Sequence, residues 1–250
     1  MTTWTPGAVS SRARPFDLPL WRGVEAQHLV STLRLAADLE SQRILEREID
    51  AAKPVLPDAL ASLPPLLAAP FRYRPLPPGS RFRSPEDPGV FYGAPEIRTV
   101  CAEVGHWRWR GFLMDCPGLE ALPATSFTLF PVKAKGPGVD LREPPFDVDS
   151  SDWQDRNDYR ATQAFGRVAR DAGLALIGYQ SVRDPGEGLN VAVLAATALR
   201  GYSATRHQTW TLALDRKKAI WIRSNEEAFS FDLPFAGTAR TGSPLREEKG

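Results

Sequence analysis

Apolar positions recur along this chain at two periods, and the periods sort it into helical blocks and short strands. Over 26–53, Leu29, Leu33, Ala36 or Ala37, Ile44, Leu45 and Ile49 return at steps of three and four with charges between them. That spacing predicts an amphipathic helix, which Pro54 ends. Five prolines among leucines and alanines over 54–70 predict a broken helix or an apolar connector. A second helix is predicted from Pro95, a residue suited to a first turn, to about residue 109. Its apolar stripe is Ile97, Val100, Val104 and Trp107; a second stripe is Thr99, Glu103, His106 and Arg110. A third helix is predicted over about 154–172, closed by Gly173.

Period-two or short apolar runs predict strands at 20–24, 71–74, 81–83, 90–92, 126–130, 139–141, 174–179 and 191–194. The runs 210–214 and 219–222 flank Asp215-Arg216-Lys217-Lys218 as a hairpin. Residues 1–20 show no period and read as a poorly ordered lead-in, and those after about 236 as a frayed tail. Many short strands, with helices inserted between groups of them, predict an α+β fold with curved, largely antiparallel sheets. No repeat or linker divides the chain, so one domain is expected over 1–250.

Composition narrows the class. At 250 residues, 42% hydrophobic and 24% charged, the chain can bury a real core and has an ordinary globular balance. No run approaches the ~18 apolar residues of a spanning helix. The first residues lack the basic-then-apolar layout of a secretory signal, so no membrane role and a cytoplasmic location are expected. A net charge of +1 gives no electrostatic case for direct nucleic-acid binding. Cys101 and Cys116 have no second pair at metal-ligand spacing, and none of the three histidines (His28, His106, His207) is paired at zinc spacing, so no metal is expected.

Candidate chemistry concentrates in Pro78-Gly79-Ser80-Arg81-Phe82-Arg83, in Val90-Phe91-Tyr92-Gly93-Ala94, and at Glu103. Arg72, Arg74, Arg81 and Arg83 fall within twelve positions with no acid among them, which suits a small anion better than a polymer. Guanidinium groups fit phosphate, an aromatic face fits a flat heterocycle, and a lone carboxylate stabilises a developing positive charge. Together they read as a pocket for a nucleotide whose glycosidic bond is broken. From spacing alone a solvated helix face is the first reading of the Thr99–Arg110 stripe; the functional alternative turns Glu103 and His106 into a cleft. Phosphate loops, Gly-x-Gly-x-x-Gly turns and Gly-x-Ser-x-Gly elbows are absent, and no second carboxylate stands near Glu103 as a glycosidase pair.

Trp21-Arg22-Gly23, Gly79-Ser80-Arg81-Phe82-Arg83, Phe91-Tyr92-Gly93-Ala94, Ala102-Glu103 and Tyr179-Gln180-Ser181-Val182-Arg183 follow one another over roughly residues 20–200. In that order they resemble the RES-domain family, the toxin halves of bacterial Xre–RES toxin–antitoxin pairs. The resemblance implies a single RES domain with a core over about 20–235, a helical insertion at about 26–66 and an ADP-ribosyltransferase-like fold. It also implies that NAD is consumed as a co-substrate, with ADP-ribose passed to water, phosphate or a protein such as phosphoribosyl pyrophosphate synthetase. A cognate Xre-type helix-turn-helix antitoxin is the implied partner. Glu103 is then the catalytic carboxylate, and Tyr92 stacks on nicotinamide. Arg22 and Arg81 hold the pyrophosphate, either of them being the family's first arginine. Ser181 and His106 complete the site. A nucleotide-binding module without catalysis is the competing reading.

Overall fold

One long strand organises the molecule, a computed structural model that describes residues 4–26, 36–55, 60–75, 77–224 and 227–233. Strand β3 (Ala121–Asp140) carries β1 (Arg14–Glu25) along one edge, antiparallel, from Phe127 to Gly138. Along its other edge it takes three partners in succession. These are β7 (Gln208–Asp215) near its start, β6 (Leu199–Arg200) at Lys133 and Ala134, and β4 (Leu176–Gln180), parallel, at its end. The sheet order is β2-β5-β4-β3-β7-β8-β9, with β2 (Phe91–Gly93), β5 (Leu189–Val193), β8 (Lys218–Ser224) and β9 (Glu227–Asp232). A bridge between Trp21 and Ala94 brings the short β2 back against β1, so this half of the sheet curls on itself. The fold is thus α+β with a large, mostly antiparallel sheet, as its sequence pattern predicts.

The strands predicted at 126–130 and 139–141 are largely one strand, β3, and the Gly/Pro run between them lies inside it. A Cβ at Gly136 would come within 2.9 Å of Ala175 Cβ, and one at Gly138 within 2.7 Å of the Leu176 carbonyl. Close approach of the next strand, and not a turn, explains these glycines. Three further expectations change. Residues 6–10 form a helix (Pro6–Ser10) that buries Val9 completely, and β1 starts at Arg14, so most of the supposed lead-in is structured. Residues 71–72 end a helix, Pro65–Arg72, where a strand was expected, and 81–83 form a turn closed by a Ser80–Arg83 bridge. Strand β9 extends the predicted hairpin by a third strand. Helix Leu39–Ala51 lies in the predicted first helical block; its beginning at 27–35, the connector at 56–59 and the tail after 233 lie outside the described residues.

Two helices matter for the site. Helix Ile97–Arg108 rises from the end of β2 and packs Val100, Cys101 and Ala102 against β3, β7 and β8, where Phe127, Trp210 and Trp221 are buried. It continues through a π-helical turn, Trp109–Met114, as the apolar stripe runs out. Helix Arg160–Asp171 covers the opposite face, with Phe165 and Ala169 fully buried against Phe82 and Tyr179. It presses directly on the arginine turn. Gln163 Nε2 donates to the carbonyls of Pro78 and Ser80 at 2.9 and 3.1 Å, and a Cβ at Gly166 would sit 2.6 Å from the Phe82 carbonyl.

Glycine to alanine in a helix interior ordinarily gains stability, by about 1 kcal/mol. At Gly166 the obstacle is backbone, which cannot rotate away, so overpacking wins. Gly166→Ala should lower stability by about 1–3 kcal/mol in denaturant melts; an unchanged or raised midpoint would show that the helix and the turn are not in contact.

Candidate active site

A cleft of about 220 Å³ opens between helix Ile97–Arg108, the arginine turn and the β4–β5 end of the sheet. Arg22, Ser80, Arg81, Tyr92, Glu103 and Asn190 line it, together with Tyr159, Tyr179 and Arg183. Residues distant in sequence therefore meet here because β1, β2 and β5 converge beneath one helix.

Glu103 is the best-held group. Its Oε1 accepts from Ser181 Oγ at 2.6 Å and from Asn190 Nδ2 at 2.7 Å. Ser181 is buried, and its oxygen accepts the backbone N–H groups of Arg183 and Asp184 at 3.2 and 3.0 Å. Those two bonds occupy the lone pairs of the hydroxyl and leave its single proton for Glu103. The structure thus places Ser181 behind the carboxylate, away from the cleft lining. Asn190 was not picked out from sequence. Its signal is a polar residue in an otherwise apolar strand, opposite Tyr179 in register, and 4% exposed.

Below this arrangement sits a second buried acid. Asp184 accepts from Thr99 Oγ1 at 2.8 Å and from the Gly186 N–H at 2.9 Å, and it pairs with Arg98. Thr99 and Arg98 lie one turn before Glu103 on the same helix, so Asp184 ties that helix to the β4–β5 turn. The turn approaches so closely that a Cβ at Gly188 would meet Thr99 Oγ1 at 2.1 Å.

The opposite wall is cationic and aromatic. Arg22 Nη1 donates to the Tyr92 carbonyl at 2.8 Å, and its guanidinium lies 4.7 Å over the Phe91 ring. Burial pushes Arg22 down to about 10, which leaves it charged at neutral pH. Its Nε is buried with no hydrogen-bond partner among the described residues. The Tyr92 hydroxyl contacts Ser80 Oγ at 2.9 Å and accepts the Phe82 N–H at 3.0 Å, so the ring is fixed at its far edge. Burial raises both Tyr92 and, further, Tyr179, and both stay protonated. Arg81 donates to the Trp153 carbonyl at 2.7 Å and lies 4.9 Å over Tyr159. Of the arginines grouped by sequence, only Arg81 reaches the cleft. Arg83 is spent on the carbonyls of Tyr73, Pro70 and Asp87, and Arg72 donates to the Pro54 carbonyl.

His106, one turn beyond Glu103, lines an adjoining recess with Arg110, Arg156 and Arg183. Arg183 belongs to both spaces. Burial, then the charges of Arg183, Arg110, Arg156 and Arg81, push the imidazole down to about 3, so it is neutral at physiological pH.

The RES domain family matches residues 59–215 of the chain. This protein belongs to that family. In the RES domain, Arg81, Tyr92, Glu103 and Ser181 fall inside the matched stretch, whereas Arg22 precedes it and reaches the cleft through β1. Among solved structures, a chain of the M. tuberculosis MbcT–MbcA toxin–antitoxin complex is similar at 13% identity and a TM-score of 0.48, covering 79% of this chain and 90% of its own. No curated protein matches.

Two measurements probe this geometry. Thr99→Val leaves a buried Asp184 oxygen short of a donor, which costs about 1–3 kcal/mol, while Thr99→Ser should restore stability to near that of the native RES domain. Equal destabilisation by both would show that the hydroxyl bond carries nothing. His106 gives a pH signature. Its folded pKa of about 3 lies below the usual ~6.5 of an unfolded histidine, so the unfolded chain binds the proton first. Its contribution is complete above pH ~6.5 and declines as pH falls, by up to about 1.4 kcal/mol per unit. Stability measured between pH ~6.5 and ~5 should slope less in His106→Gln than in wild type; identical slopes would mean that the imidazole titrates normally when folded.

Proposed function

We propose that this RES domain breaks the nicotinamide–ribose bond of NAD and passes the ADP-ribosyl group to water, phosphate or a protein side chain. The observation that carries the reading is Glu103: one carboxylate, oriented by two donors, in a cleft whose other walls are guanidinium groups and aromatic rings. Losing nicotinamide leaves an oxocarbenium-like ribose, and a fixed carboxylate stabilises that charge more in the transition state than in the substrate.

The residues present fit this substrate. Arg22 and Arg81 supply planar donors for the pyrophosphate, which lysine would not reproduce. The buried Arg22 Nε is a donor that a phosphate oxygen would satisfy. Tyr92 offers a ring held at its hydroxyl edge, so its face serves nicotinamide without rotating. As the C1′–N bond breaks, its electron pair goes to the nicotinamide ring nitrogen. The acceptor oxygen then bonds to C1′ and gives up its proton to solvent. Ser181 and Asn190 hold Glu103, Oε1 being their shared acceptor, and act as positioning residues. His106, neutral and one turn away, supplies shape and no charge.

Membership of the RES family supports the further reading that the protein is the toxin of a toxin–antitoxin pair in the cytoplasm, with an Xre-type helix-turn-helix antitoxin that closes the cleft. No described helix is long and apolar enough to cross a membrane.

The test is nicotinamide release from labelled NAD by purified protein, with and without phosphate and cell extract. Glu103→Gln should bind NAD and release nicotinamide ~10²–10³-fold more slowly, and added antitoxin should suppress release by the wild type. Free ADP-ribose, its 1-phosphate or a labelled protein band would each name the acceptor. NAD binding without release by the wild type would sink the enzymatic reading and leave a nucleotide-binding module.

A further inference from the structure

Arg22 faces two spaces. It lines the cleft, of about 220 Å³, and also a groove of about 270 Å³, and it is the one residue that the two linings share. The end of β1 gives the groove Val24 and Glu25, and helix Pro65–Arg72 with its cap gives Leu66, Ala69, Pro70 and Tyr73. Those four positions recur at i, i+3, i+4 and i+7, which is one face of a helix. Leu67 and Ala68, off that face, are buried in the core, so the helix is anchored from behind.

Charge and size tie the groove to the cleft. The bond from Arg22 to the Tyr92 carbonyl is the one hydrogen bond its guanidinium makes among the described residues, and it has no ion pair there. The carboxylate in each space is held by other partners. Glu103 is bonded by Ser181 and Asn190, and Glu25 pairs with Arg108 at 2.6 Å. Sites for small molecules generally span about 300–1,000 Å³. The cleft alone falls short of that range, and the two spaces together reach it. A dinucleotide is two nucleosides with a pyrophosphate between them; here two spaces have a guanidinium between them.

Beyond Arg22 the groove is apolar and aromatic. Tyr73 is 42% exposed, and the Arg72 guanidinium lies 5.9 Å over its ring while donating to the Pro54 carbonyl. Bases stack on tyrosine rings and on guanidinium planes alike. Glu25 is exposed, and its carboxylate can accept ribose hydroxyls, whereas a further phosphate would meet its charge.

We infer that this groove holds the second nucleoside of the dinucleotide, the adenosine of NAD, with Arg22 on the pyrophosphate and the nicotinamide half in the cleft. The inference rests on the reading of the cleft as an NAD site. It turns helix Pro65–Arg72 from a covering element into a determinant of which nucleotide is accepted.

Calorimetric titration of the full chain tests this, in the Glu103→Gln background so that no probe is turned over. The probes are AMP, nicotinamide mononucleotide and NAD. Ala69→Trp fills the groove from its wall, and Tyr73→Ala removes the ring at an exposed position. AMP should bind saturably, and each variant should weaken AMP and NAD by about tenfold, the worth of one stacked base, while shifting nicotinamide mononucleotide less than about twofold. No saturable AMP binding, AMP binding that neither variant alters, or a parallel loss for all three probes would each overturn the groove. Nicotinamide release from NAD by the chain with Glu103 intact is measured separately. AMP binding that the variants lose, with no such release, would refute the NAD chemistry and leave the groove a nucleoside site. Release together with AMP binding untouched by the variants would keep the chemistry and reject the groove.

Discussion

The carboxylate of Asp184 fixes how helix Ile97–Arg108 sits on the sheet, and the Glu103 side of the cleft follows from that contact. A buried carboxylate is costly unless several donors surround it, and Asp184 has Thr99, Arg98 and the Gly186 N–H. Its own N–H group, in turn, goes to Ser181 Oγ. One residue therefore connects the helix that carries Glu103 to the hydroxyl that orients Glu103. The glycines at 186 and 188 are the steric condition for this contact, since a side chain at either would overlap Arg98 or Thr99. Displacing the turn would move both ends of the Ser181–Glu103 bond together, which keeps the carboxylate geometry insensitive to small motions of the sheet.

The opposite wall obeys a different constraint. Arg22 and Tyr92 are joined by a hydrogen bond that exists because β2 returns to β1 at the Trp21–Ala94 bridge. Arg81 sits on a turn clamped by Gln163 and by the close approach of Gly166. Here the donors that are used go to backbone carbonyls, Tyr92 for Arg22 and Trp153 for Arg81, and burial lowers Arg22 without discharging it. Buried guanidinium groups without a counter-charge cost free energy. The Glu103 side of the cleft is satisfied by side chains; the arginine side leaves Arg22 Nε without a hydrogen-bond partner among the described residues.

That division explains what was legible in the sequence. Glu103 stood out because the helix around it has a clean apolar stripe, which fixes the side of its polar residues. Arg81 and Tyr92 stood out through turn chemistry and the family's order of motifs. Asp184 and Asn190 did not, because their meaning lies in register: Asn190 faces Tyr179 only once β4 and β5 pair, and Asp184 meets Thr99 only once the helix docks. Strand β3 was divided wrongly for a related reason. Pro131, Gly136 and Pro137 read locally as a turn, while the structure uses the glycines for close approach by β4. The arginine run 72–83 was over-read, since Arg83 and Arg72 cap backbone carbonyls and only Arg81 faces the cleft.

Placing the carboxylate on a packed helix and the arginines on turns has a consequence for how such a site changes. Glu103 is held by Ser181, the residue directly after β4, and by Asn190 on β5, so altering its position requires repacking the end of the sheet. Arg81, Arg156 and Arg183 lie on connections, where substitution and insertion are cheaper. Arg183 joins the two groups: its N–H supports Ser181, while its side chain lines both the cleft and the arginine-rich recess. The arginine lining of the cleft can therefore vary on the turns while Glu103 stays where it is.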